Sequence, residues 1–238
     1  MFPAPPVWAP SPTPIRTGPR RLCEPVAPAL RTRSASRPPA GPSARLGPTH
    51  RPDAPMPRSR SRTALLIIDM VNALDFPEGP RLLKHALPAA RRIARLRMRL
   101  KAQNVPVIFV NDNFTHWRED FRQLVAICCQ PDVTGAPLVQ ALPPEQDDYS
   151  ILKPQHSAFY GTALEALLSQ LDVQRVILTG IATDQCILAS AVGARMRKLE
   201  TLVASDGTAA VTPQRHRNAL AVMRAMDVEV TTCAKISG

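Results

Sequence analysis

Residues 63–238 predict an α/β fold in which a parallel β-sheet carries helices on both faces. Short apolar runs, several of them ending in a polar residue, alternate along this segment with stretches whose apolar residues recur at helical spacing. The segment holds about 175 residues, which suits one domain of this class.

The first elements are two strands separated by a long helix. "TALLIIDM" (63–70) is an apolar run that ends near an acid, as expected of a strand buried on both faces. Apolar residues recur at helical spacing over 81–104, with Pro88 in or near the first turn of the main helix. "VPVIFVND" (105–112) predicts the second strand, and the chain turns helical again near Glu119.

The middle of the domain repeats the strand and helix alternation. "DDYSILK" (147–153) predicts a third strand, and "VQRVILTG" (173–180) predicts a fourth. Between them, 161–171 predicts a helix in which Thr162 is the N-cap and Glu165, three residues on, completes a capping box.

Two more helix and strand pairs complete the chain. Residues 183–198 predict a helix that is followed by a fifth strand over 199–206. Residues 212–226 predict the last helix, with Thr212 as its cap and a proline at its first position, before a sixth strand over 228–232.

Residues 1–62 differ sharply in composition from the rest. They hold 16 of the 26 prolines, 11 Arg, no Lys and two acids, which leaves a net charge of +9. Proline removes backbone donors, and the segment has no hydrophobic period, so it cannot bury enough apolar surface to offset the entropy of ordering. We expect a disordered tail over 1–62, with a basic nucleic-acid-binding arm as an alternative.

The charge and the cysteines narrow the classes of protein further. Residues 63–238 carry 19 Lys and Arg against 17 Asp and Glu, a net of +2, so the charge of the domain gives no support to a nucleic-acid partner. No apolar stretch is long enough to span a membrane. Five irregularly spaced cysteines suit a reducing compartment, and we expect a cytoplasmic location.

Reactive residues follow the predicted strands. Asp69 ends the first, Asp112 follows the second, Lys153 ends the third, and Cys186 comes shortly after the fourth. Because the carboxyl ends of parallel strands meet at one edge of the sheet, these side chains are expected to lie together. A helix N-terminus and an ammonium favour a thiolate, an ionised carboxylate opposes it, and the carboxylate can accept the thiol proton.

With these residues in this order, the chain resembles the isochorismatase-like cysteine hydrolases. The resemblance rests on "ALLIIDMVN", "ILKPQHSAFYGT" and "LTGIATDQC" and extends over nearly all of 63–238. It implies a three-layer αβα sandwich with a six-stranded parallel sheet, and a catalytic triad of Asp69, Lys153 and Cys186. It also implies a cis peptide between Ile181 and Ala182 that aims the Ala182 and Cys186 amides at a substrate carbonyl oxygen.

Nicotinamidases of this family bind a divalent metal through Asp-x-His and further histidines after the second strand. Here the position of the Asp112-x-His histidine holds Phe114, and only His116 lies nearby. A lone Asp and His seldom complete a divalent site, so we predict an enzyme without metal or other cofactor.

The resemblance implies a small-molecule substrate, a homo-oligomer and, for most members, hydrolysis of a C–N bond in an amide, ureide or carbamoyl compound. Isochorismatase-type vinyl-ether hydrolysis, nicotinamidase activity and a non-enzymatic protein that uses its basic tail remain alternatives. Motif position suggests a group of residues that could line the pocket: Asn72, Phe76, Asn113, Phe114, Trp117, Phe159 and Tyr160.

Overall fold

Six parallel strands form one sheet in the order β3-β2-β1-β4-β5-β6. The protein is seen in a computed structural model that describes residues 61–114 and 118–238. The strands are β1 Thr63–Ile68, β2 Val107–Asp112, β3 Tyr149–Lys153, β4 Arg175–Ile181, β5 Glu200–Ala209 and β6 Glu229–Thr231. The predicted six-stranded parallel sheet is therefore confirmed.

Helices cover both faces of this sheet. They are α1 Gly79–Lys101, α2 Phe121–Cys128, α3 Ala136–Ala141, α4 Leu164–Gln170, α5 Leu188–Met196 and α6 Pro213–Ala225. Apolar residues of α1, α2 and α3 pack in one core, and those of α4, α5 and α6 pack in a second core on the opposite face. Within residues 61–114 and 118–238, no helix is long and apolar enough to cross a bilayer.

Strand β1 lies in the middle of the sheet and is buried along its whole length. Its β2 partner leads outward to β3, whereas its β4 partner leads outward to β5 and β6. The direction of chain progression thus reverses between β1 and β4. In open α/β sheets, the crevice beyond the carboxyl ends of the strands at such a reversal is the usual place for a ligand.

Two helix boundaries differ from the sequence predictions. Helix α1 begins at Gly79, so Pro88 lies inside the helix and not in its first turn. Helix α4 begins at Leu164, and the predicted capping box does not form. The Thr162 hydroxyl accepts a hydrogen bond from the Leu164 amide at 3.3 Å, but Glu165 pairs with Arg197 at 2.6 Å instead of reaching back to the cap.

The predicted cap of α6 is confirmed, and one short helix, α3, was not predicted. Thr212 caps α6 as predicted, since its hydroxyl accepts from the Arg215 amide at 3.1 Å. Helix α3 was not predicted, because six residues are too few to display a hydrophobic period.

The last residue of the predicted tail, Arg62, is hydrogen-bonded to the domain. The Arg62 carbonyl accepts hydrogen bonds from the amides of Gln174 and Arg175, at 2.8 and 3.0 Å. The tail predicted to be disordered lies outside the described residues over 1–60, and so does the segment 115–117.

Candidate active site

The ends of β1, β3 and β4 bring Asp69, Lys153 and Cys186 together. Asp69 directly follows β1 and has a φ of 55°, a left-handed conformation that Asp tolerates better than most residues. Gly180 near the end of β4 has a φ of 115°, and a Cβ there would lie 2.0 Å from the Ile68 carbonyl oxygen. Glycine therefore lets the end of β4 approach the end of β1 closely.

A buried ion pair forms the centre of the site. The Lys153 Nζ lies 2.9 Å from the Asp69 Oδ2, and the two residues are 1% and 4% exposed. The Asp69 Oδ1 accepts a hydrogen bond from the Asp112 amide at 2.7 Å. Both carboxylate oxygens thus have a donor, which fixes the orientation of the carboxylate.

The Cys186 thiol completes this cluster. Its Sγ lies 3.6 Å from the Lys153 Nζ, and the thiol also hydrogen-bonds to Asp69. The Lys153 ammonium donates its remaining hydrogen bond to the Gln155 carbonyl at 3.2 Å. The three side chains predicted from the strand ends therefore lie in one hydrogen-bonded group.

Burial dominates the electrostatics of the thiol. Loss of solvent raises the pKa of Cys186, the Asp69 carboxylate raises it further, and the Lys153 ammonium opposes both. The opposing effects of Lys153 and Asp69 predicted from the sequence are both present, and burial, which the sequence does not show, is larger than either. Burial would lower the pKa of Lys153, but Asp69 and Cys186 outweigh it and the pKa is raised, so the lysine is charged.

The carboxylate is suited to hold a proton. Burial raises the pKa of Asp69 above its usual 3.8 and outweighs the lowering effect of Lys153. Asp69 lies against the Cys186 thiol and is therefore positioned to accept the thiol proton.

Cys186 lies in a π-helical turn, Thr183–Ile187, that leads into α5. The peptide bond between Ile181 and Ala182 is cis, as the family resemblance implied. The Thr183 hydroxyl lies 2.9 Å from the Nδ1 of His216, which belongs to α6. Helix α6 therefore contacts the turn that carries the thiol.

Four of the predicted pocket residues lie in the loops that follow β1 and β2. The Asn72 side chain accepts a hydrogen bond from the Leu74 amide at 2.8 Å, so it also shapes its own loop. The Asn113 amide donates to the Lys153 carbonyl at 3.1 Å. Phe76 and Phe114 are partly buried against the α1 core.

The remaining predicted pocket residues are less closely tied to the thiol. Phe159 is 4% exposed, and its ring centroid lies 5.0 Å from the Arg197 guanidinium carbon, which indicates a packing role beside α5. Tyr160 is 65% exposed. Trp117 lies outside the described residues.

The residues after β2 do not fit the nicotinamidase type of metal site. Phe114 presents a hydrocarbon ring where that site needs an imidazole nitrogen, and the ring packs against the core. Among residues 61–114 and 118–238, one group of three potential ligands lies close together, formed by Glu145, Asp147 and Asp148. These carboxylates pair with Lys101 and Arg97 and have no link to the thiol.

Sequence reasoning missed two histidines. The His156 Nδ1 lies 3.5 Å from the Cys186 Sγ, although His156 was not selected from the "KPQHSAF" motif that contains it. Its position three residues after the strand-end lysine could have placed it at the same edge of the sheet. His216 is far away in sequence, and no local signal pointed to its contact with Thr183.

A family model described as an isochorismatase domain matches residues 63–235. The chain belongs to the isochorismatase family. This isochorismatase-family chain is 33% identical over 175 residues to an uncharacterised family protein, YaaI, of Bacillus subtilis, covering 73% of this chain and 96% of that one. With the family established, the protein is a hydrolase.

Two further relatives differ in what their names state. A probable inactive nicotinamidase of Arabidopsis thaliana is 31% identical, with 71% of this chain and 92% of that one covered. A ureidoacrylate amidohydrolase, RutB, of Methylobacterium radiotolerans is 28% identical, with 70% and 75% covered.

The fold is also that of solved family members. An isochorismatase family protein from Desulfovibrio vulgaris superposes with a TM-score of 0.61 at 26% identity, covering 73% of this chain and 95% of that one. The three-layer αβα sandwich expected from the sequence is therefore confirmed.

Proposed function

We propose that this isochorismatase-family protein is a metal-independent cysteine hydrolase that cleaves a C–N bond of a small amide, ureide or carbamoyl compound. The observation that carries the proposal is the buried contact of one ammonium with both a carboxylate and a thiol, Lys153 with Asp69 and Cys186. Buried charges are costly, and a cluster of this kind at the ligand edge of a sheet is typical of a catalytic site.

In the proposed first step, Asp69 takes the proton of Cys186 while the sulfur attacks the substrate carbonyl carbon. Negative charge develops on the carbonyl oxygen, and the amides of Ala182 and Cys186 are the proposed donors to it. Lys153 stabilises the negative charge that the carboxylate carries before the proton transfer and that the sulfur carries as it loses its proton. Collapse then breaks the C–N bond, and Asp69 returns the proton to the leaving amine, which leaves an acyl group on Cys186.

The raised pKa of Asp69 supports this assignment. An amine is a poor leaving group unless it is protonated. A carboxyl group with a raised pKa can keep the proton taken from the thiol until the nitrogen of the leaving amine accepts it. The similarity to a ureidoacrylate amidohydrolase supports the choice of a C–N bond over a vinyl ether. A second step, in which water hydrolyses the thioester, regenerates the thiol.

Nicotinamidase activity is the less favoured alternative, because Phe114 offers no metal ligand and one relative is named a probable inactive nicotinamidase. A non-enzymatic role is opposed by the complete group of Asp69, Lys153 and Cys186. We propose that Asn72, Phe76, Asn113 and Phe114 help to line the pocket. A homo-oligomeric state and a cytoplasmic location also remain proposals, the latter supported by the free cysteines of the described chain.

The test is release of ammonia or amine from a panel of small amides, ureides and carbamoyl compounds. We expect turnover of at least one class, with loss of turnover in Cys186→Ala. Cys129→Ala is the matched control, because it removes a partly exposed thiol elsewhere in the protein and is expected to leave turnover unchanged. Turnover that persists in Cys186→Ala would contradict the proposal, as would a panel on which the wild type has no activity.

A further inference from the structure

The contact between Cys186 and His156 has no part in the triad. The His156 Nδ1 lies 3.5 Å from the Cys186 Sγ, which is within hydrogen-bond reach for sulfur. With Nδ1 unprotonated the ring accepts the S–H, and with Nδ1 protonated it donates to a thiolate. His156 is exposed, whereas the other two partners of the thiol, Asp69 and Lys153, are buried.

The buried partners are already occupied. The three donors of the Lys153 ammonium have three partners, namely the Asp69 carboxylate, the Gln155 carbonyl and the Cys186 sulfur. An ammonium has no lone pair with which to accept a proton. Asp69 accepts hydrogen bonds from Lys153 and from the Asp112 amide, and at 4% exposure it meets solvent water less readily than the exposed His156 does.

Hydrolysis of an acyl-cysteine requires a base that meets water. The water must come from solvent, and its proton must leave as the oxygen attacks the thioester carbon. Imidazole is the side chain that most often performs this task near neutral pH. His156 touches both solvent and the sulfur that carries the acyl group, so it combines the two contacts that the step needs.

We propose that His156 is the general base for the deacylation step, a division of labour in which Asp69 serves the leaving amine and His156 serves the water. A His156 ring nitrogen takes a proton from water while the water oxygen bonds to the thioester carbonyl carbon. The C–S bond then breaks, the sulfur leaves as a thiolate beside Lys153, and the proton held by His156 passes to it. The balance is one acyl-cysteine and one water consumed, and one thiol and one carboxylic or carbamic acid formed.

This inference rests on the proposed acyl intermediate, so its test uses a probe that is independent of the natural substrate. The probe is p-nitrophenyl acetate, whose leaving group departs without a proton, so acylation does not need the acid function of Asp69. Release of p-nitrophenolate that depends on Cys186 reports acylation and deacylation, and mass spectrometry of quenched samples reports acetyl groups on Cys186.

The variants are His156→Asn and His156→Ala, with His85→Asn as the matched control. Asparagine keeps a hydrogen-bonding nitrogen near the position of Nδ1 but cannot act as a base, and His156 is exposed, so folding should survive. His85 is also exposed and lies in α1, outside the site. His85→Asn is therefore expected to behave as wild type.

Both His156 variants should give a burst of one p-nitrophenolate per site, followed by release about a hundredfold slower than in wild type. Acetylated Cys186 should accumulate, and hydroxylamine should restore turnover because it attacks thioesters without a base. Wild-type turnover in His156→Asn would overturn the inference, because a hydrogen bond alone would then suffice. An equal fall in the burst rate and the steady rate would also overturn it, by assigning His156 to acylation.

The two proposals can fail separately. Turnover of the ester with no activity on any amide would refute the proposed function, while the His156 variants would still decide the inference. Absence of any p-nitrophenolate release that depends on Cys186 would overturn both.

Discussion

Replacing Lys153 by methionine should slow alkylation of Cys186 by iodoacetamide about a thousandfold. The Lys153 Nζ lies 3.6 Å from the Cys186 Sγ. At an effective dielectric constant of about 20, unit charges at this separation attract each other by roughly 4–5 kcal/mol. Since one pKa unit corresponds to about 1.4 kcal/mol, loss of the ammonium should reduce the thiolate population by about three powers of ten.

The assay follows alkylation of each cysteine by peptide mass spectrometry at mildly alkaline pH. Cys233 serves as an internal reference, because it is buried at 4% exposure and contacts Gly207, away from the triad. Its rate should be the same in wild type and in Lys153→Met. Circular dichroism on the same samples should show a folded protein, since methionine has a volume similar to that of lysine.

A double variant separates the effect of charge from an effect on packing. In Asp69→Asn with Lys153→Met, the ammonium and the carboxylate are both absent, and the repulsion that Asp69 exerts on the thiolate is removed as well. Alkylation should therefore be faster than in Lys153→Met alone. The electrostatic reasoning would be refuted if a folded Lys153→Met protein were alkylated at Cys186 as fast as wild type.

Further outcomes concern the metal, the tail, an ion-pair cluster and a histidine. Dialysis against EDTA should leave turnover intact, and elemental analysis should find no stoichiometric metal. Deletion of residues 1–55 should change neither the melting temperature nor turnover. Asp148→Asn should lower the unfolding free energy by roughly 3 kcal/mol in a denaturant titration, since the side chain is 1% exposed and pairs with buried Arg97, whereas the 76% exposed Asp147 should lose under about 1 kcal/mol on the same change. Burial, then Arg217, lowers the pKa of His216 below 6.5, so stability should fall as pH drops through 6.5, and less so in His216→Asn.

Each of these has a contradicting result. An essential, stoichiometric metal would show that the loop after β2 had been misinterpreted. A stability loss above about 1 kcal/mol on truncation would mean that the tail packs on the domain. Equal losses at Asp148 and Asp147 would remove the role of burial, and parallel pH profiles for wild type and His216→Asn would exclude that histidine as the titrating group.

Asp69 and Lys153 could be placed together from the sequence because the topology of a parallel sheet determines where the ends of its strands lie. Asp69 directly follows the buried strand β1 and Lys153 ends the partly buried strand β3, and the carboxyl ends of parallel strands lie at one edge of the sheet. The motif around Cys186 then identified the third member. What periodicity could not supply was the π-helical turn, Thr183–Ile187, since one extra residue in a turn leaves no repeating pattern.

Contacts between distant segments were the other source of error. Glu165 has the spacing of a capping-box partner, yet it pairs with Arg197, which belongs to another element and lies close only in the folded chain. His216 reaches Thr183 in the same way. A local sequence pattern indicates which residues of the same segment can form a hydrogen bond or ion pair. It does not indicate which residue of a distant segment forms that interaction instead.

The pKa of Cys186 shows why the identity of the residues did not determine the chemistry. Sequence reasoning placed an ammonium, a carboxylate and a helix N-terminus around the thiol, and two of these three favour the thiolate. The largest effect is the loss of solvent around the thiol, which is 8% exposed. This loss raises the pKa of the thiol by more than any one neighbour changes it. Because the resting thiol is neutral, the sulfur must lose its proton during the attack, to a carboxylate whose own pKa is raised by the same burial. Because both groups are buried, proton transfer from Cys186 to Asp69 and attack by the sulfur occur in one step. Among the partners of the thiol, the exposed imidazole of His156 is the one that contacts solvent, which supplies the water of the second step.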